Sequence, residues 1–154
     1  MNTQHFSTTF LVDQTPKEAF EAIINVRGWW SEEIEGYTEY INDEFTYHYK
    51  DVHYCHLILT DVAPYKKVEW FVKYSYFNFT KDSNEWTGTK VTFEISEEDN
   101  KTQVRFTHHG LVPEFECYDI CFSGWTKYIN GSLYNLITTG MGQPNFSPVH
   151  SDTH

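Results

Sequence analysis

Two pairs of histidines and one pair of cysteines are the residues whose type and spacing invite chemistry. His108 and His109 are adjacent, His53 and His56 are three apart, and Cys117 and Cys121 are four apart. Imidazole and thiolate are common zinc ligands, so each pair raises the question of a metal site. Adjacent residues on a strand face opposite sides, which separates His108 from His109, and the same parity separates His53 from His56. Cys117 and Cys121 share a face of a helix. With no further Cys or His at ligand spacing nearby, they read as small buried hydrophobes. Neither a metal nor a cofactor is expected. His108 is the candidate functional polar group, because its parity with Val104 and Phe106 sends it inward. There an imidazole orients a ligand, exchanges a proton, or is satisfied by a neighbouring tyrosine or carbonyl. No Gly-x-Ser-x-Gly nucleophile motif and no glycine-rich phosphate loop is present. Paired acids such as Glu97-Glu98 fall in turns, so no residue is assigned as catalytic.

The elements that must position these residues are legible from periodicity. Residues 5–12 alternate, with Phe6, Thr8, Phe10 and Val12 on one side of a strand and His5, Ser7, Thr9 and Leu11 on the other. A helix follows. Thr15 is its N-cap, Pro16 takes the first helical position, and Glu18 completes a capping box. Gly28 is placed to end this helix before Trp29-Trp30. Further strands are predicted in "EFTYHYK", "HYCHLILTDV", "KVEWFVKYSYF", "TKVTFEI" and "TQVRFTHH", joined by turns near Lys50-Asp51, Pro64-Tyr65-Lys66 and Glu98-Asp99-Asn100. Short connections imply consecutive antiparallel pairing. From about Pro113 the period becomes helical, with an apolar stripe of Phe122, Trp125, Ile129, Leu133, Leu136 and Ile137, and Gly140 is placed to end it. Asn130-Gly131 inside that stripe is a hairpin signal, but neither flank alternates, so one long helix is predicted. Its interior glycine either lets backbones approach or leaves space for a ligand. If it faces solvent, it is only a tolerated weakness.

Length and composition bound the rest. The 154 residues suit a single domain, with a core over about 5–140 and a tail at 141–154, and nothing resembles a linker. Twenty-two acids against 11 bases give a net charge of −11, and Lys66-Lys67, Lys73, Lys81 and Lys90 are too scattered to form a basic patch. A phosphate backbone or an anionic membrane surface would be repelled, so nucleic acid is excluded as a partner. No secretory signal and no membrane-spanning run is read in the sequence. Three cysteines give no disulfide framework, and a cytoplasmic protein with reduced thiols is the simplest reading. The 28 aromatic residues, 18% of the chain, are the unusual feature. They build a large core, a ring-lined pocket or a sticky surface, and composition does not choose.

The order of strand, helix, antiparallel strands and long terminal helix is that of the helix-grip fold, an α+β architecture. "TTFLVDQTPKEAFEAIINVRGWW" resembles the opening of the START-like (SRPBCC) superfamily, "LTDVAPYKKVEWFV" its strand–proline turn–strand segment, and "FSGWTKYINGSLYNLITTG" its terminal helix. Within that superfamily the chain is similar to the family named for activators of the heat-shock protein 90 ATPase. The resemblance covers most of residues 5–140, and its spread-out hydrophobic patterns specify fold more than function. It implies a curved sheet wrapped around the long helix, with a cavity between them for a small apolar or aromatic ligand. The inward positions that would line it are Trp30, Tyr47, Trp70, Val72, Phe93, Phe106, His108, Trp125, Ile129 and Leu133. The same rings also suit a simple core. Three functional readings follow: a non-catalytic binding module, a protein-interaction or regulatory domain (chaperone-activator-like or a homodimer) using exposed aromatics such as those of "YSYFNF", and an enzyme with a cavity acid or base.

Overall fold

The computed structural model describes residues 5–49, 53–77, 86–110 and 118–144. Its elements are β1 (His5–Val12), α1 (Pro16–Ile24), α2 (Val26–Trp29), β2 (Glu35–Gly36), β3 (Glu44–Tyr49), β4 (His53–Ala63), β5 (Lys67–Phe77), β6 (Lys90–Glu98), β7 (Lys101–His109), α3 (Tyr118–Thr126), a π-helical segment (Lys127–Leu133) and α4 (Tyr134–Thr139). The strands form one curved antiparallel sheet in the order β1-β7-β6-β5-β4-β3-β2, and the C-terminal helical run packs against it as in the helix-grip fold. Alternation within each strand separates two faces. Val91, Phe93 and Ile95 of β6 and Val104, Phe106 and His108 of β7 are buried, whereas Lys90, Glu94, Ser96 and Arg105 are exposed.

α1 begins as its sequence dictates. The Thr15 hydroxyl accepts from the Glu18 amide at 3.1 Å, and the Glu18 carboxylate accepts from the Thr15 amide at 2.9 Å. Two orphan donors of the first turn are thereby satisfied. The helix does not run to Gly28, as predicted, but ends at Ile24 with Asn25 as its cap. Gly28 lies inside the short α2, where a Cβ would meet the Asn25 side chain at 2.6 Å and Leu136 of α4 at 3.1 Å, so its smallness serves packing rather than termination. Arg27 donates to the carbonyls of Ile34 and Gly36, which ties the acidic stretch after α2 back to the body.

The C-terminal run departs from a uniform α-helix. Residues 127–133 are π-helical, and the Tyr134 amide reaches the Ile129 carbonyl five residues back. Pro113 and Cys117 lie outside the described residues. Phe122 is not on the inward stripe: it is 44% exposed and meets Phe6 edge-on, while Cys121 takes the buried position. Gly140 ends α4 in the left-handed region at φ 86°, as predicted. A Cβ on Gly131 would meet nothing within 4 Å, so this glycine permits no close approach. The close approach belongs to its neighbour. Ser132 is buried, donates to the Trp29 carbonyl at 2.7 Å and accepts from the Gln143 amide at 2.6 Å. Gly142 lies so tightly against the Gly28 carbonyl that no side chain fits there. One hydroxyl thus joins α2, the π segment and the residues after α4.

Candidate functional site

The space between helix and sheet holds a connected set of rings. Tyr47 of β3 stacks on Trp30 at 4.2 Å and 14°, and Trp30 stacks on Trp70 of β5 at 5.6 Å and 8°. Trp29 lies parallel beside both, 6.1 Å from Trp30 and 6.2 Å from Trp70. From the helix, Trp125 tilts onto Trp30 at 5.2 Å and stacks on Trp86 at 5.5 Å and 8°. Phe93 and Phe106 link the two groups, meeting Trp70 at 5.0 Å and Trp125 at 4.6 Å respectively. All ten sequence-predicted positions are buried on this inner side, with Val72, Ile129 and Leu133 joining the same core cluster. The sequence reading brought these together but missed Trp29, His53, Trp86 and Thr89. Trp86 stands in a turn with no periodicity to mark its facing. His53 does share parity with Cys55, Leu57 and Leu59, the signal that marks it as inward.

The ring set changes character at one end, where polar groups join it. Trp86 is held between two imidazoles, with His53 edge-on at 4.7 Å and 90° and His108 at 4.7 Å and 83°. The protonation of His108 follows from its partners. The Thr89 hydroxyl is 2.5 Å from the Trp86 carbonyl and must donate to it, so it accepts from His108 Nε2 at 2.8 Å. The indole N–H of Trp125 donates to His108 Nδ1 at 3.0 Å. His108 is therefore neutral with its proton on Nε2, and both nitrogens are engaged. These partners replace the tyrosine or carbonyl expected from sequence. Burial pushes the His108 pKa down to about 3, with the charge of His109 a lesser cause. His53 is likewise pushed down to about 3, by burial first and by His108 second. His108 is fully buried and His53 half-buried.

This electrostatic setting limits the chemistry. The Cys55 thiol lies 2.9 Å from His53 Nε2. An imidazole whose protonated form is so disfavoured cannot act as the cation that stabilises a thiolate. The buried thiol and the neutral ring share a hydrogen bond instead. A general acid working near neutrality needs a pKa near 7, and neither inner histidine has one. No group of three or more His, Cys, Asp or Glu that could hold a metal ion occurs among the described residues. His56 and His109 point to the outer side, toward Glu44 and Thr92, opposite to His53 and His108. Two buried donors on the inner wall of β5, Trp70 Nε1 and Ser75 Oγ, have no hydrogen-bond partner among the described residues.

Residues 15–138 match the family model described as activator of Hsp90 ATPase homolog 1-like protein. The chain belongs to that family. Other activator-of-Hsp90-ATPase-homolog-like and START-like folds share its shape. The solution structure of the Aha1 dimer from Colwellia psychrerythraea superposes with a TM-score of 0.72 at 20% identity, covering 90% of this chain and 99% of that one. Protein MLL2253 from Mesorhizobium loti gives 0.66 at 14% identity, covering 82% and 92% of the two chains. DynU16, a putative protein in the dynemicin biosynthetic locus, gives 0.71 at 11% identity, with 95% of this chain lying on 52% of that chain. At such identities the likeness is one of fold. No curated protein matches the sequence. Among the described residues, no helix of this family member is long and apolar enough to cross a membrane.

Proposed function

We propose that this protein is a non-catalytic binding module that takes a small aromatic or apolar molecule at the polar end of its grip. Tyr47, His53, Trp70, Ser75, Trp86, His108 and Trp125 would form the contact surface there, backed by Trp30, Val72, Phe93, Phe106, Ile129 and Leu133. The observation that carries this reading is the pair of buried donors with no partner among the described residues, Trp70 Nε1 and Ser75 Oγ. A buried donor without a partner costs about 1–3 kcal/mol, and an occupant bearing an acceptor relieves that cost. Aromatic walls with a few fixed polar groups are the usual make-up of such sites. A structural neighbour from a biosynthetic locus is in keeping with a small-molecule occupant.

Thermal-shift screening against aromatic metabolites and fatty acids, with quenching of tryptophan emission as a second signal, tests the reading. A ligand at a hundred times its Kd raises stability by about 2.7 kcal/mol. If no class of compound moves either signal, the proposal fails. Ser75→Ala supplies a check of opposite sign: it should stabilise the empty protein by about 1 kcal/mol while weakening the bound state.

A second reading, self-association, is favoured by the exposure of Tyr74 and Tyr76, the aromatic stretch singled out in the sequence. The similar Colwellia psychrerythraea structure is described as a dimer.

A further inference from the structure

The outer side of β3, β4 and β5 carries an aromatic array of its own, and strand register arranges it in rows. His48, Tyr54 and Tyr76 lie side by side across the three strands. Thr46, His56 and Tyr74 form the next row, and Glu44, Ile58 and Phe71 the third. A bulge opposite His56 and Leu57 inserts Lys73 into β5, so that Lys73 and Tyr74 are both exposed. Tyr74 is 45% and Tyr76 39% exposed, and the rings touch one another, with His48 4.8 Å and Tyr74 5.9 Å from Tyr54. A solvated sheet face ordinarily carries polar side chains. The outer positions of β6 and β7 follow that rule with Lys90, Thr92, Glu94, Ser96, Gln103 and Arg105. The aromatic rows are specific to one half of the sheet.

Charge bears on what such a face can meet. The chain carries −11, yet the charges of these rows cancel: Lys73 pairs with Glu44 at 3.2 Å, and His56 shares the same carboxylate at 2.7 Å. A strongly basic or acidic partner finds no complement on such a surface. A second copy meets no charge penalty there, because a two-fold contact sets the same neutral patch against itself and keeps the acidic remainder of both chains apart. Tyrosine suits the role, giving large contact area with a hydroxyl for bonds across the contact. We infer that the protein self-associates through the outer face of β3, β4 and β5, with the tyrosine rows of two copies in contact. This rests on the self-association reading above and names the face it uses.

The nine positions of the rows fall short of the roughly 20–30 residues per side of a standard interface, so the association is weak. It strengthens with added salt, which screens repulsion between two acidic chains. Sedimentation velocity over a concentration series, from about 5 to about 500 μM in a range suited to a small interface, tests this on the full chain. The wild type should pass from monomer to dimer, and Tyr74→Glu with Tyr76→Glu should weaken dimerisation at least tenfold. Both positions are exposed, and an unchanged melting temperature at low concentration verifies the fold. A wild type that stays monomeric throughout, whatever other partner the face has, overturns both the self-association reading and the assigned face. A dimer that survives the double substitution overturns the face alone.

Discussion

The two sides of β3, β4 and β5 are built from similar residues and put to different use. Inward, Tyr47, Cys55 and Ser75 lie in register with Phe45, Leu57 and Val72 nearby, all buried. Outward, His48, Tyr54 and Tyr76 lie in register, with His48 and Tyr54 half-buried and in ring contact and Tyr76 exposed. Histidine makes the contrast sharpest. Inside, His53 and His108 are held neutral by burial. Outside, His56 lies on Glu44, and that hydrogen bond, followed by the one from Lys73, lowers the Glu44 pKa. An 18% aromatic content is thus two populations. One holds the grip together, and the other gives the sheet an unusually apolar exterior.

Pressing on the inner population should produce the largest effect. Trp30→Ala removes a ring that touches Tyr47, Trp29, Trp70 and Trp125, and the loss should be about 3–5 kcal/mol in urea denaturation. Tyr74→Ala on the outside should cost under about 0.5 kcal/mol in dilute protein. Equal costs would break the distinction between the two faces.

Acid should also find the inner side first. Each inner histidine is neutral in the fold, with a pKa of about 3 against 6.5 when unfolded. Below pH 6.5 the unfolded chain takes up protons that the folded chain refuses, so the stability present above pH 6.5 is lost as pH falls toward 3. The slope approaches about 1.4 kcal/mol per pH unit for each histidine. Urea midpoints measured against pH check this. A flat profile through that window would mean that the inner imidazoles charge freely, and His108→Phe should remove one histidine's share of the slope.

Two neighbouring positions in the π segment sharpen the comparison at smaller scale. Ser132→Ala leaves the Gln143 amide without its acceptor and the Trp29 carbonyl without its donor, which should cost about 1–3 kcal/mol. Gly131→Ala enters open space and should stabilise by about 0.5–1 kcal/mol through the unfolded chain. Differential scanning calorimetry of the pair decides the assignment. A destabilising Gly131→Ala would return a packing role to the glycine.

Legibility followed periodicity. The capping box of α1, the inward set of each strand and the glycine cap of α4 all follow from local rules that leave a mark on the sequence. His108 was read as inward because its strand alternates cleanly, but its partners were not readable: Thr89 and Trp125 reach it from elsewhere in the chain. Trp86 had no period to reveal its facing, and Gly28 carried a helix-stop signal that packing against Leu136 overrode. The outer rows were visible only as an aromatic stretch, because their rank across three strands depends on a bulge.

The π segment has a further consequence, concerning angular phase. Cys121, Trp125, Ile129, Leu133 and Ile137 recur every fourth residue and are all buried. An α-helix advances about 100° per residue, so this spacing drifts by about 40° at each step and about 160° from Cys121 to Ile137. A uniform α-helix would therefore turn Ile137 almost directly away from the side Cys121 faces. The wider π turns advance less per residue and take up most of that drift. The helix keeps one face on the sheet because its middle is wound at a different pitch.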